Sequence, residues 1–237
     1  MARRRKRHIQ QELFRHGGKR RGAGRPPSGR RSSERHKRRP NLRASDPVQV
    51  TIRIADDVRN LRTRDLYRAI RFATYSVAEK QQDRFRIIHL TIQRNHLHLL
   101  CEAADRMALA RGMQGFEISA AKRVNAVVGR RGTVFPDRYH QRILNSPRSA
   151  RHALSYVLNN WRRHRLDRDS SWLVDPYSSG ISFTGWKELE GAVWMWKPSD
   201  PRYQPLLVFR PQTWLLRVGW QRAGAIRTSD IPGPEPR

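Results

Sequence analysis

Between residues 48 and 144 the apolar residues switch repeatedly between two spacings, which limits the fold of this 237-residue chain more than any other feature. Val48, Val50, Ile52 and Ile54 alternate with Gln49, Thr51 and Arg53, the period of a half-buried strand. Over 64–81 the spacing lengthens to three and four residues, placing Leu66, Ile70, Ala73 and Val77 on one helical face. A second strand is predicted over 85–93, with Ile88, Leu90 and Ile92 on one side, and Arg94-Asn95 connects it tightly to a third over 96–102. Asp105 suits the N-cap of a helix whose stripe is Leu109, Met113, Phe116, Ala120, Val124 and Val127. Gly112 and Gly115 weaken that helix, although a glycine also permits close packing on a sheet. After a basic turn at Gly129-Arg130-Arg131-Gly132, a fourth strand is predicted over 133–144, bent at Pro136. The order βαββαβ is that of an α+β ferredoxin-like sandwich, an architecture shared by many unrelated functions.

The flanks differ from this block. Residues 1–45 hold 17 Lys and Arg against two acidic residues, and so carry half of the net charge of +29. Their glycines and prolines leave no periodic apolar face, so this stretch is expected to be a disordered basic arm. Within it, Gly24-Arg25-Pro26 matches the core of a minor-groove hook in which Arg25 enters the groove. The match is three residues long, and a general phosphate-binding tail is the simpler reading. Residues 46–165 form the expected folded domain. Residues 166–237 hold six of the seven tryptophans and are broken by prolines; an irregular extension packed on the domain is expected, ending in a disordered 229–237.

A charge of this size favours a polyanion, with nucleic acid the default and an anionic membrane surface the rival. No apolar stretch approaches the roughly 20 residues of a spanning helix, so no membrane role is expected. The single cysteine, Cys101, excludes disulfide frameworks and zinc–cysteine sites and reads as a buried small hydrophobe. A basic N-terminus without an apolar signal core points to the cytoplasm, in association with the nucleoid.

Chemistry concentrates in two places. His96 and His98 flank one apolar residue in a strand, so both imidazoles point to the same face and can reach one small cation. An H-x-H pair alone is more often two packed or surface histidines than a metal site. Ser146-Pro147 opens a helix in which Ala153, Leu154, Val157, Leu158 and Trp161 cover one side. Tyr156 lies in the middle of the other side with Asn160 one turn beyond it. A divalent ion on two neutral imidazoles and one amide oxygen keeps open positions for phosphate oxygens, and a tyrosine is a suitable nucleophile toward phosphorus. The His89-Leu90-Thr91 triplet suggests a two-histidine phosphoesterase, but no second H-x-[ST] follows any other histidine of the domain.

Asn95-His96-Leu97-His98-Leu99-Leu100 resembles the HUH motif of single-tyrosine transposases, in particular the REP-associated tyrosine transposases and their insertion-sequence relatives. Val134-Phe135-Pro136-Asp137-Arg138-Tyr139-His140 and then Tyr156-Val157-Leu158-Asn159-Asn160 follow in that family's order, over residues 47–165. Asp175-Pro176-Tyr177-Ser178-Ser179-Gly180 adds an aromatic-Ser-Ser element common near the end of such proteins. The resemblance implies a ferredoxin-like domain that cleaves and rejoins single-stranded DNA near hairpins through a 5′-phosphotyrosyl intermediate. It implies Tyr156 as nucleophile, and His96, His98 and Asn160 as ligands of Mg2+ or Mn2+. The chain departs from the family where an Asn-Pro commonly follows the tyrosine helix, since Asn160 is followed by Trp161 and the helix is free to continue to His164.

Arg94, Arg130, Arg131, Arg138 and Arg142 are candidate DNA contacts with Arg25, and Arg138 and Arg142 are expected beside the site; a solvated strand face explains those two equally well. Tyr139 is the rival nucleophile, better suited to packing or base stacking. The rival function is a non-catalytic RNA- or DNA-binding module on the same fold. Such modules display aromatic residues on their strands, and 48–54 and 95–102 have none. A homodimer, with Tyr156 completing its own or a partner's site, is left open.

Overall fold

The computed structural model describes residues 39–81, 83–168, 170–190 and 203–233. The arm candidate Arg25 and most of the basic arm lie outside them. Four strands form one antiparallel sheet in the order β2-β3-β1-β4: β1 Val48–Arg53, β2 Phe85–Ile92, β3 His96–Ala103 and β4 His140–Ile143. With α1 (Arg64–Gln81) following β1 and α2 (Arg106–Val128) following β3, this is the ferredoxin-like arrangement.

The pleat sorts the side chains. Val48, Val50 and Ile52 of β1 and Leu97, Leu99 and Cys101 of β3 are fully buried in one core with α1 and α2. Gly112 of α2 lies against the ring of Phe85, and a Cβ there would fall 2.1 Å from Phe85 Cγ. The glycine that weakens the helix therefore sets its closest approach to the sheet. Asp105 caps α2 by accepting from the Ala108 N–H, and Gly129 ends it in the left-handed region at φ 69°.

The other sheet face is covered by α3, Pro147–Arg163, which starts at a Ser146/Ser149 capping box with Pro147 in its first turn. Ile88 and Leu100 pack there with Leu154, Val157 and Leu158. One expectation changes here. The fourth strand covers only 140–143 instead of 133–144, because the chain around Pro136 leaves the sheet edge; Val134 is buried and accepts from the Ala55 N–H instead. On the polar side of α3, Ser155, Asn159 and Asn160 are buried while His152 and Arg163 are exposed.

The C-terminal extension covers α3. Trp186, Trp220 and Ile226 join its core, and Asn159 Nδ2 donates to the Arg227 carbonyl. Trp214, by contrast, is 46% exposed. Glu102, fully buried on β3, accepts from Arg86, from the backbone N–H groups of Gln212 and Thr213, and from the Thr213 hydroxyl. Arg151 pairs with Asp230 at 2.9 Å, so within 229–233 the chain is held on α3. Among the described residues, no helix is long and apolar enough to cross a membrane.

Candidate active site

His96 and His98 lie on the β3 face turned toward α3, opposite Arg53 and Thr51 of β1. Their ring centroids are 4.5 Å apart. His98 is buried and its ring lies 4.9 Å from that of Tyr156; His96 is half-buried and its ring lies 6.1 Å from that of His164. Tyr156, Asn160 and His164 are spaced by four residues, so they line one side of the helix end. The two ring contacts show that α3 runs antiparallel to β3 here, and Asn160, fully buried, lies on the helix between Tyr156 and His164.

The environment of the two histidines disfavours their charged forms. Burial is the main cause that pushes the His98 imidazolium well below its ordinary pKa, with His96 and His164 adding to it. Burial, then His164 and Arg53, pushes His96 down to about 4. Both are neutral at pH 7, the form that binds metal. Nδ1 of His98 lies 3.0 Å from Thr51 Oγ1, and Nδ1 of His96 lies 2.7 Å from Asn95 Oδ1. Such contacts orient the rings and leave Nε2 of each for a ligand.

Three polar atoms at this spot carry an unmet cost. His98 Nε2, Asn160 Oδ1 and Asn160 Nδ2 are sealed from solvent without a hydrogen-bond partner. Each such atom costs about 1–3 kcal/mol if nothing satisfies it. Two neutral imidazoles and an amide oxygen fit a divalent cation such as Mn2+ or Mg2+, which takes its other ligands from water or substrate oxygens. Among the described residues no group of three His, Cys, Asp or Glu side chains is placed to hold a metal ion; the amide of Asn160 could serve as a third donor.

The structure separates the arginine candidates. Arg142 lines a cavity of about 300 Å³ that also takes in Tyr156, His152 and Arg151, and its Nη1 is buried without a partner. Arg138 instead lines a groove against α2 with Tyr139, whose ring packs in the core of the α1 and α2 layer. Arg130 is tied to Asp57 at 2.7 Å, while Arg94 and Arg131 are exposed at the two ends of their turns.

Sequence reasoning missed His164 and Arg62. His164 was legible as one more step of four along α3, once the helix was allowed to pass Trp161. Burial, then Arg163 and Arg62, keeps its pKa below the ordinary histidine value. Arg62 pairs with the buried Asp175 at 2.7 Å, donates to the Ile92 carbonyl and lies 4.4 Å over the Tyr177 ring. It thereby ties the 175–180 segment to the end of β2, just before the H-x-H turn. Ser179 of the same segment accepts from the Leu90 N–H and meets His89 Nδ1 at 3.0 Å. His89, held neutral by burial with a pKa near 3, is thus a packed residue apart from the site.

No protein-family model and no curated protein matches the chain. Solved structures similar to it include the following two. One is of the REP-associated tyrosine transposase bound to a REP hairpin, at 18% identity and a TM-score of 0.49, covering 74% of this chain and 100% of that one. The other is a Deinococcus radiodurans R1 protein provisionally assigned as a transposase, at 9% identity and a TM-score of 0.35, covering 57% of this chain and 92% of that one.

Proposed function

We propose that this chain is a transposase-type enzyme that cleaves and rejoins single-stranded DNA at hairpins or repeats, with Tyr156 as the nucleophile. The observation that carries the reading is the Tyr156 ring against His98, with the unpartnered amide of Asn160 one turn further along the same helix. The Tyr156 oxygen attacks the scissile phosphorus, the bond to the 3′-oxygen breaks, and a 5′-phosphotyrosine remains on the protein. The phenolic proton leaves to solvent and the departing 3′-oxygen gains one, so the step is balanced and reversible by attack of a 3′-hydroxyl. His96, His98 and Asn160 would hold Mg2+ or Mn2+. When bound, such an ion neutralises charge on the phosphoryl oxygens and the leaving oxygen.

Arg142, lining the cavity beside Tyr156, supplies a positive charge for the phosphate next to the reacting one. In this reading residues 46–165 carry the chemistry, the 166–237 extension buttresses α3, and the 1–45 arm adds sequence-independent affinity through counterion release.

The test is incubation of the full chain with a labelled hairpin bearing a single-stranded flank, in Mn2+ and in excess chelator. A metal-dependent covalent adduct is expected, with the modified peptide mapping to Tyr156 and no adduct in Tyr156→Phe. Phenylalanine keeps the ring and removes only the attacking oxygen. A peptide mapping to Tyr139, or binding without any adduct, would overturn the proposal; the second result is that of a non-catalytic module.

A further inference from the structure

On the side of the sheet away from Tyr156, α2 and the segment leading into β4 enclose a second groove of about 760 Å³. Arg39, Arg106, Arg111 and Arg138 line it, with Glu117 as its acidic residue. Arg106, Arg111 and Arg138 have no ion pair or hydrogen bond through their side chains among the described residues. Arg39 is committed elsewhere: its guanidinium lies 3.5 Å over the Tyr139 ring and donates to Gln141 and to the Tyr139 carbonyl. Three unpaired guanidinium groups facing one concavity repel each other and favour a multiply charged anion.

Two further observations mark this as more than a charged face. Tyr139, nine-tenths buried, lines the groove, and its hydroxyl has no hydrogen-bond partner. Glu117 Oε1 is likewise sealed and unpartnered. In its ionised form Glu117 disfavours a phosphate at its own position, but accepts well from the exocyclic amino group of a base.

The position identifies the occupant. Arg138, just before the edge strand, and Arg142, within it, are four residues apart, at most about 14 Å in extended chain. Arg138 faces this groove and Arg142 faces the cavity of Tyr156. We infer that a single DNA strand passes over the β4 edge, its phosphates held by Arg106, Arg111 and Arg138 and one of its bases set against Glu117 and Tyr139. This rests on the nucleic-acid partner proposed above but does not require the cleavage reaction. An acidic peptide could meet the arginines, but it would gain nothing from Glu117.

The experiment measures fluorescence-anisotropy binding of the full chain to dT6, dT16 and dC16. The parent should gain at least tenfold on extending dT6 to dT16, and should prefer dC16 to dT16 severalfold through the cytosine amino group. In R106A/R111A, both on the outer side of α2, the gain on extension should vanish. The slope of log affinity against log salt should fall by about 1.4, the change that follows when two phosphates of a single strand are no longer neutralised. Glu117→Leu should erase the preference for dC16 while keeping the gain on extension. An unchanged slope and gain in R106A/R111A would refute the groove, and a preference for dC16 that survives in Glu117→Leu would refute the base contact. If these variants behave as expected while the parent forms no adduct, the groove stands and the strand-transfer reading fails.

Discussion

Removing the Glu102 carboxylate is expected to unpin the C-terminal extension from the strand that carries His96 and His98. The side chain is fully buried and accepts from four groups: Arg86 at 3.1 Å, the Gln212 N–H at 2.9 Å, the Thr213 N–H at 2.8 Å and the Thr213 hydroxyl at 2.8 Å. In Glu102→Ala the Arg86 guanidinium, 13% exposed, would lose its buried partner, a change that costs about 3–5 kcal/mol. Two backbone N–H groups would also lose their acceptor, at about 1–3 kcal/mol each if they stayed dry. These terms share one cavity and do not add; water entering as 212–213 moves away relieves part of them. A loss of about 4 kcal/mol follows. Glu102→Gln keeps an acceptor for the N–H groups and loses the charge facing Arg86, so about 2 kcal/mol is expected. Urea unfolding followed by the fluorescence of the buried Trp186 and Trp220 reads both values. The reasoning fails if Glu102→Ala costs less than about 1 kcal/mol, or if Gln is as costly as Ala.

Gly112→Ala should lose about 2 kcal/mol despite the better helix propensity of alanine, because the new Cβ meets the Phe85 ring at 2.1 Å. Gly112→Ala combined with Phe85→Leu should recover part of that loss in the same urea assay. Titration calorimetry with Mn2+ should find one site in the parent and none in His96→Ala/His98→Ala; unchanged heats would return both histidines to a packing role. Burial lifts the Glu117 carboxyl to about 7, against the pull of Arg39. The folded chain therefore holds this proton more tightly than the unfolded chain, and stability falls as pH rises from the ordinary carboxylate range toward about 7. Glu117→Gln should flatten that part of the Tm–pH curve, and an unaltered slope would count against the assignment.

Much of the architecture could be read from local pattern. The period-2 runs at 48–54, 85–93 and 96–102 and the stripes over 64–81 and 105–127 each became the element they suggest, because burying one face rewards one spacing only. The strand predicted over 133–144 was overextended for a related reason. Pro136 cannot donate to a ladder, and Val134 finds its place in the core from an irregular loop.

The composition of the site divides in the same way. That His96 and His98 share a face, and that Tyr156 and Asn160 share another, follows from strand and helix periods alone. Which way α3 turns does not, because a helix with apolar residues on one side and polar ones on the other would normally show the polar side to water. Here the apolar side is claimed by Ile88, Leu100 and the Trp186 and Trp220 cluster of the extension, and this directs Tyr156 toward His98 of β3. The same packing brings His164 beside His96 and sends Arg138 and Arg142 to separate cavities, although they lie four residues apart. Such pairings depend on contacts between segments far apart in the chain, whose cost in chain entropy is met by burial of the whole core and leaves no trace in any short window.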